Sequence, residues 1–160
     1  MAISEGARLP KTTLFRMGDS GPERLDTEDL FAGKTAVVFA VPGAFTPTCS
    51  AKHLPGFIQH VDDLRAKGVD LIACLAVNDP FVMSAWGEQQ GAGGKVEMLS
   101  DGNGELAKAL DLEMDASGAG LGIRSQRFAM IIRDGVVEKI FVDKPGAFEV
   151  SSAEHVLANL

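Results

Sequence analysis

Residues 41–49 read Val-Pro-Gly-Ala-Phe-Thr-Pro-Thr-Cys, and they join an apolar run at residues 35–41 to a helix-like pattern. Thr46 suits an N-cap, and Pro47 suits the first helical position, where a missing N–H costs nothing. Cys49 then falls in the first helical turn, at the position whose amide a Thr46 cap would bind. Free backbone N–H groups and the positive end of the helix dipole favour an anion there. A thiol so placed is expected to ionise more readily than a free one, and the thiolate is the reactive form. The residues alone leave two fates open for Cys49: a reactive thiolate, or a buried structural cysteine, the commoner lot of a lone cysteine.

Outward from this junction, the run at 35–41 is apolar throughout, as in a strand covered on both faces. Leu54, Phe57, Ile58, Val61 and Leu64 recur at helical spacing and define a buried stripe. Pro55 lies inside that pattern and is expected to kink the helix, which Gly68 ends. Residues 69–77 form a second buried strand. Asn78-Asp79-Pro80 opens another helix that Gly91 closes, residues 91–94 form a flexible loop, and residues 96–99 form a short strand. Residues 100–110 read as turn, then helix. Residues 128–132, the Asp134-Gly135 turn and residues 136–142 read as a β-hairpin. Ser151 or Ser152 caps a last helix, with Glu154 near the capping-box position. Residues 1–34 are turn-rich and read as a short hairpin and loop. This order predicts a single domain over residues 1–160, an α/β three-layer sandwich with parallel central strands and a C-terminal antiparallel hairpin.

Composition narrows the function. The chain has 160 residues and a formal net charge of −7, which argues against nonspecific nucleic-acid binding and docking on anionic lipid. No apolar run approaches the roughly 18–20 residues of a membrane span. The N-terminus lacks a basic region followed by an apolar core, so no secretion signal is expected. Cys49 and Cys74 form no CxxC pair, zinc set or disulfide framework. A reducing compartment, the cytoplasm, fits them best.

Pro42, Thr46 and Cys49 match Pro-x-x-x-Thr-x-x-Cys, which resembles the peroxidatic motif of peroxiredoxins, thiol peroxidases on a thioredoxin-like fold. The fuller string, Pro-Gly-Ala-Phe-Thr-Pro-Thr-Cys-Ser with His53-Leu-Pro-Gly-Phe57 after it, is similar to the peroxiredoxin-5 subfamily. Residues 73–82, followed by Trp86-Gly87, resemble that subfamily's third strand and next helix. Residues 124–130, followed by Asp134-Gly135, resemble the segment that carries its active-site arginine, which falls on Arg127 here. The resemblance implies that Cys49 attacks hydrogen peroxide or an organic hydroperoxide and becomes a sulfenic acid. It implies that Thr46 and Arg127 take part in catalysis, that Pro42, Gly43, Thr46 and Arg127 contact the peroxide, and that Pro42 shields the sulfur. It implies no metal or other cofactor, and a homodimer. Some members carry a resolving cysteine near the C-terminus, but Val150 stands at the corresponding position. An outside thiol must then resolve the sulfenic acid, first glutathione with glutaredoxin, second thioredoxin.

Other residues carry weaker signals. Cys74 lies mid-strand and reads as a small core hydrophobe, with a resolving cysteine as its rival reading. His53 follows Cys49 by four positions, but two ligands are too few for a closed zinc site, and a Cys–His hydrolase lacks an orienting third group. His60 and His155 read as solvent-facing. Arg124 and Arg133 compete with Arg127, and sequence alone would make Arg127 a surface cation. Residues 118–122, Gly-Ala-Gly-Leu-Gly, neither follow a buried parallel strand nor open a βαβ unit, so they read as a loop. A redox relay to a partner protein is the second functional class. It would react once and pass its oxidation on, where a peroxidase cycles.

Overall fold

The computed structural model describes residues 2–160. The strands β1 (Thr13–Gly18) and β2 (Gly21–Asp26) form a hairpin, and the short helix α1 (Thr27–Phe31) follows, capped by the Asp26 carboxylate. The apolar run becomes β3 (Thr35–Ala40). A helical stretch beginning at Pro47 contains a π-helical turn (Cys49–His53), α2 (Leu54–Gln59) and α3 (Val61–Ala66). Then come β4 (Leu71–Ala76), α4 (Pro80–Gln90), β5 (Glu97–Ser100) and α5 (Glu105–Ala109). A small ribbon of β6 (Glu113–Asp115) and β7 (Ile123–Ser125) precedes the hairpin of β8 (Phe128–Arg133) and β9 (Val136–Val142), and α6 (Ala153–Ala158) ends the chain.

Seven strands make one mixed sheet in the order β2-β1-β5-β4-β3-β8-β9. β3 runs parallel to β4, and β4 to β5, while β8 joins β3 antiparallel. The run at 35–41 is apolar throughout because both faces of β3 are covered. Val37 and Phe39 face one core cluster with Leu54, Phe57, Trp86 and Val156. Ala36, Val38 and Ala40 face the other, with Phe31, Leu106 and Leu110. The Phe39 and Phe57 rings stack 4.0 Å apart between sheet and helix, and both are wholly buried. Full burial of a phenylalanine contributes roughly 2–3 kcal/mol.

The expected three-layer sandwich is present, with three departures. The N-terminal hairpin joins the main sheet, because β1 pairs with β5 and buries Leu14 completely. Residues 118–122 form a loop as read, but it joins the two strands of an unexpected ribbon, β6–β7, through a 3₁₀ turn (Ser117–Ala119). The helix bearing Pro55 does not simply kink there. The turn before it widens to π geometry, with the Leu54 amide donating to the Cys49 carbonyl, and the helix breaks at His60. A proline at 55 offers no N–H to the preceding turn, and a one-residue π expansion absorbs that loss. Asp79 and Ser152 cap α4 and α6 as their positions imply, and Gly91 closes α4 in a left-handed conformation.

Candidate active site

Pro42 leaves β3 and leads into a turn over residues 43–46. The Ala44 amide donates to Asn78 Oδ1 at 2.9 Å, and the Thr46 hydroxyl donates to the Gly43 carbonyl at 2.7 Å. Phe45, third in the turn, has φ +65°, a conformation that favours glycine, and these two hydrogen bonds help to hold it. Gly43 lets Arg124 approach the turn closely: a Cβ there would lie 2.7 Å from Arg124 Nη1 and would push that guanidinium aside. The helix starts at Pro47 and puts Cys49 in its first turn, as expected, with the Ser50 amide bonded to the Thr46 carbonyl at 2.9 Å. The Thr46 hydroxyl, however, does not close on the Cys49 amide. The turn folds the Gly43 carbonyl back to take the hydroxyl proton, which leaves the hydroxyl lone pairs free to accept from another group.

The π turn buries Cys49 and His53 together. Arg127, just before β8, crosses to both: Nη2 donates to Cys49 Sγ at 3.1 Å, and Nη1 donates to His53 Nδ1 at 2.7 Å. His53 Nε2 then donates to the Ser151 carbonyl at 2.9 Å, which assigns the ring as neutral with its proton on Nε2. Burial and the adjacent Arg127 charge push the His53 pKa down to about 3. The Phe148 ring lies 5.8 Å from the Arg127 guanidinium carbon, within cation–π range. The guanidinium fork is thus fixed on both arms and presents a cation to the sulfur.

The depressed His53 pKa has a consequence for stability. The unfolded chain takes up a proton on this residue near pH 6.5, and the folded chain refuses it until about pH 3. The contribution of neutral His53 is therefore complete above 6.5 and is lost as pH falls toward 3, at about 1.4 kcal/mol per pH unit. His60 acts in the opposite sense, because hydrogen bonds to Asp63 and Glu154 raise its pKa despite partial burial. Denaturant titrations between pH 7 and pH 4 should show a shallower loss of stability for His53→Gln, whose carboxamide keeps one donor and one acceptor but does not titrate. Equal slopes for the two proteins would refute a neutral buried His53.

A cleft of about 120 Å³ opens beside the site, with Pro42, Thr48, Met114, Gln126 and Arg127 in its wall. An apolar cavity of roughly 150 Å³ holds one benzene, so this space suits a small molecule. Arg124, a competitor of Arg127 by sequence, has another task. It donates to the Pro42 carbonyl at 3.2 Å and to the Leu121 carbonyl at 2.9 Å, tying the turn to the β6–β7 ribbon. Arg133 lies away from the thiol and pairs with Glu138. The structure therefore gathers Pro42, Gly43, Thr46, Cys49 and Arg127 in one place and adds His53, Arg124 and Asn78.

Cys74 sits wholly buried in β4, and both cysteines are free. Burial, and then proximity to Cys49, push the Cys74 thiol well above its ordinary range. A thiol held protonated is a poor nucleophile, which fits the core-hydrophobe reading. His60 is not simply solvent-facing: it bridges Asp63 and Glu154 at 3.0 and 3.3 Å. His155 packs edge-on against Phe141. Among the described residues no cluster of three or more His, Cys, Asp or Glu could hold a metal, and no helix is long and apolar enough to cross a membrane.

The Redoxin family model matches residues 4–157. Peroxiredoxin-2E-2, chloroplastic, of Oryza sativa subsp. japonica is 53% identical over 99% of this chain and 72% of its own length. Peroxiredoxin-2B of Arabidopsis thaliana is 50% identical over 99% of this chain and 98% of its own length. The crystal structure of reduced Prx3 from Vibrio vulnificus in complex with hydrogen peroxide superposes with a TM-score of 0.95 at 55% identity, covering 98% of each chain. These matches extend well beyond the cysteine motif to nearly the whole chain. The chain therefore belongs to the Redoxin family and is a peroxiredoxin, a thiol-dependent peroxidase with a thioredoxin-like fold.

Proposed function

We propose that this peroxiredoxin works by a one-cysteine cycle, with Cys49 as nucleophile and an outside thiol as reductant. The contact of Arg127 Nη2 with Cys49 Sγ, from a guanidinium whose other arm is held by neutral His53, carries the assignment. A fixed cation there meets the charge that moves onto the leaving oxygen. The Cys49 sulfur attacks one peroxide oxygen. An S–O bond forms as the O–O bond breaks, the other oxygen leaves as water or alcohol after gaining a proton, and sulfur is oxidised by two electrons. The Thr46 hydroxyl accepts a hydrogen bond from the incoming peroxide, and Pro42 keeps bulk water from the sulfur. The cleft volume suits hydrogen peroxide and small organic hydroperoxides.

Resolution is by glutathione with glutaredoxin first, and by thioredoxin second. One thiol displaces water from the sulfenic acid to give a mixed disulfide, and a second thiol releases Cys49. Val150 at the C-terminal position and the buried, protonated Cys74 support this over internal resolution. The motif string supports a place near the peroxiredoxin-5 subfamily. A reducing compartment such as the cytoplasm, with the chain as a homodimer, completes the proposal. Exposed Phe45, Phe81 and Ile123 support association.

The cycle is tested by steady-state peroxide consumption with each reductant, in wild type and Cys74→Ser. Turnover with glutathione and glutaredoxin that survives Cys74→Ser is expected. Turnover with thioredoxin alone that fails in Cys74→Ser, together with a Cys49–Cys74 disulfide in the peptide map, would replace it with an internal two-cysteine cycle.

A further inference from the structure

Asp143 follows β9 in chain order, and its carboxylate is buried at 5% exposure. It accepts four hydrogen bonds from one short stretch of chain. Oδ1 takes the amides of Glu149 and Val150, both at 3.0 Å. Oδ2 takes the Ser151 amide at 3.2 Å and the Ser151 hydroxyl at 2.5 Å. Burial works to raise its pKa, but these hydrogen bonds outweigh burial and hold it below the ordinary carboxylate range. The stretch it gathers carries the Ser151 carbonyl that takes the His53 proton and the Phe148 ring beside Arg127. The Asp143 amide also donates to the Arg127 carbonyl at 3.0 Å. The contacts close a ring: Arg127 backbone, Asp143, Ser151, His53 and the Arg127 guanidinium. Of these, the guanidinium donates to the sulfur.

We propose that Asp143 is a positioning residue of the active site, whose carboxylate fixes the Ser151 carbonyl and, through the His53 tautomer, aims the Arg127 guanidinium at Cys49 and the peroxide. The chain of cause is short. Ser151 held in place draws the His53 proton to Nε2, so Nδ1 presents a lone pair, and that lone pair takes one arm of Arg127. A displaced Ser151 carbonyl leaves the ring free to put its proton on Nδ1, where it opposes the guanidinium. Asparagine at 143 tests this sharply. Its NH₂ must face either the Glu149 and Val150 amides or the Ser151 amide and hydroxyl, so one pair of donors loses its acceptor whichever way the group turns.

The inference rests on the proposed Cys49–Arg127 chemistry, and the experiment separates the two. The rates of Cys49 oxidation by hydrogen peroxide and of Cys49 alkylation by iodoacetamide are measured for wild type, Asp143→Asn, His53→Leu and the double variant. Circular dichroism confirms the fold, and Ser151→Ala serves as the milder probe where Asp143→Asn folds poorly. Asp143→Asn should lose about 10-fold or more in peroxide rate, the cost expected of a group misplaced by a fraction of an ångström to an ångström. Its alkylation should not rise, whereas general loosening would expose the buried thiol and raise it. In the His53→Leu background the same substitution should change the peroxide rate by less than about twofold, because it acts through His53. A folded Asp143→Asn, or its Ser151→Ala stand-in, that reacts like wild type would overturn the inference, as would losses that multiply in the double variant. A wild type that peroxide does not oxidise at Cys49 would overturn the parent reading, and this inference with it.

Discussion

Cys49→Ser should lose peroxide consumption by on the order of 10⁴-fold or more while keeping its fold, as removal of a nucleophile does elsewhere. A serine hydroxyl stays protonated at neutral pH, and its oxygen cannot give up two electrons to the peroxide as sulfur does. The change is nearly isosteric, and the buried oxygen can still accept from Arg127, so the melting temperature should move little. The protein contains its own reporter. Trp86, the one tryptophan of the chain, donates from Nε1 to Ser50 Oγ at 3.0 Å, next in sequence to Cys49. Peroxide mixed with reduced wild type should change Trp86 fluorescence in a single fast phase, and Cys49→Ser should show none. Peroxide consumption that survives the substitution would move the chemistry elsewhere, with Cys74 the first suspect.

Such a result would test a residue legible from sequence, and the reason it was legible is local. Thr46, Pro47 and Cys49 lie within one turn, so capping and proline rules place the thiol without knowledge of the rest of the chain. The apolar run at 35–41 and the Asp79 and Gly91 boundaries of α4 were readable for the same reason. What the sequence hid was long-range. His53 takes its two partners from positions 74 and 98 residues away, so its role was invisible while its spacing from Cys49 suggested metals and hydrolases. Arg124 and Arg127 are alike by composition. The resemblance picked out Arg127, but the physical difference shows only in the structure, in the turn carbonyl that one meets and the sulfur that the other meets. Thr46 shows that even a local reading can fail: the cap position was right, but the hydroxyl found the Gly43 carbonyl in a turn that capping rules do not describe. The pairing of β1 with β5 was likewise unreadable, because it depends on a sheet edge built from residues 97–100.

Arg127→Gln should cost about 10²–10³-fold in the rate of Cys49 oxidation, the usual price of removing one fixed donor aimed at developing charge. Arg127→Lys should fall between Gln and wild type. The ammonium keeps the charge, but it is a point on a flexible stem and lacks the planar fork that meets Cys49 Sγ and His53 Nδ1 together. Charge alone would make lysine nearly as good as arginine, whereas geometry alone would make lysine no better than glutamine. The order wild type, lysine, glutamine therefore reports that both contribute. Stopped-flow rates with hydrogen peroxide and with a small alkyl hydroperoxide separate chemistry from cleft fit. Both rates should fall by a similar factor, because the guanidinium acts on the O–O bond and not on the alkyl group. A glutamine variant that keeps more than about a third of the wild-type rate would break the link between that fixed cation and the reaction, since a stabilising donor of this kind is worth far more.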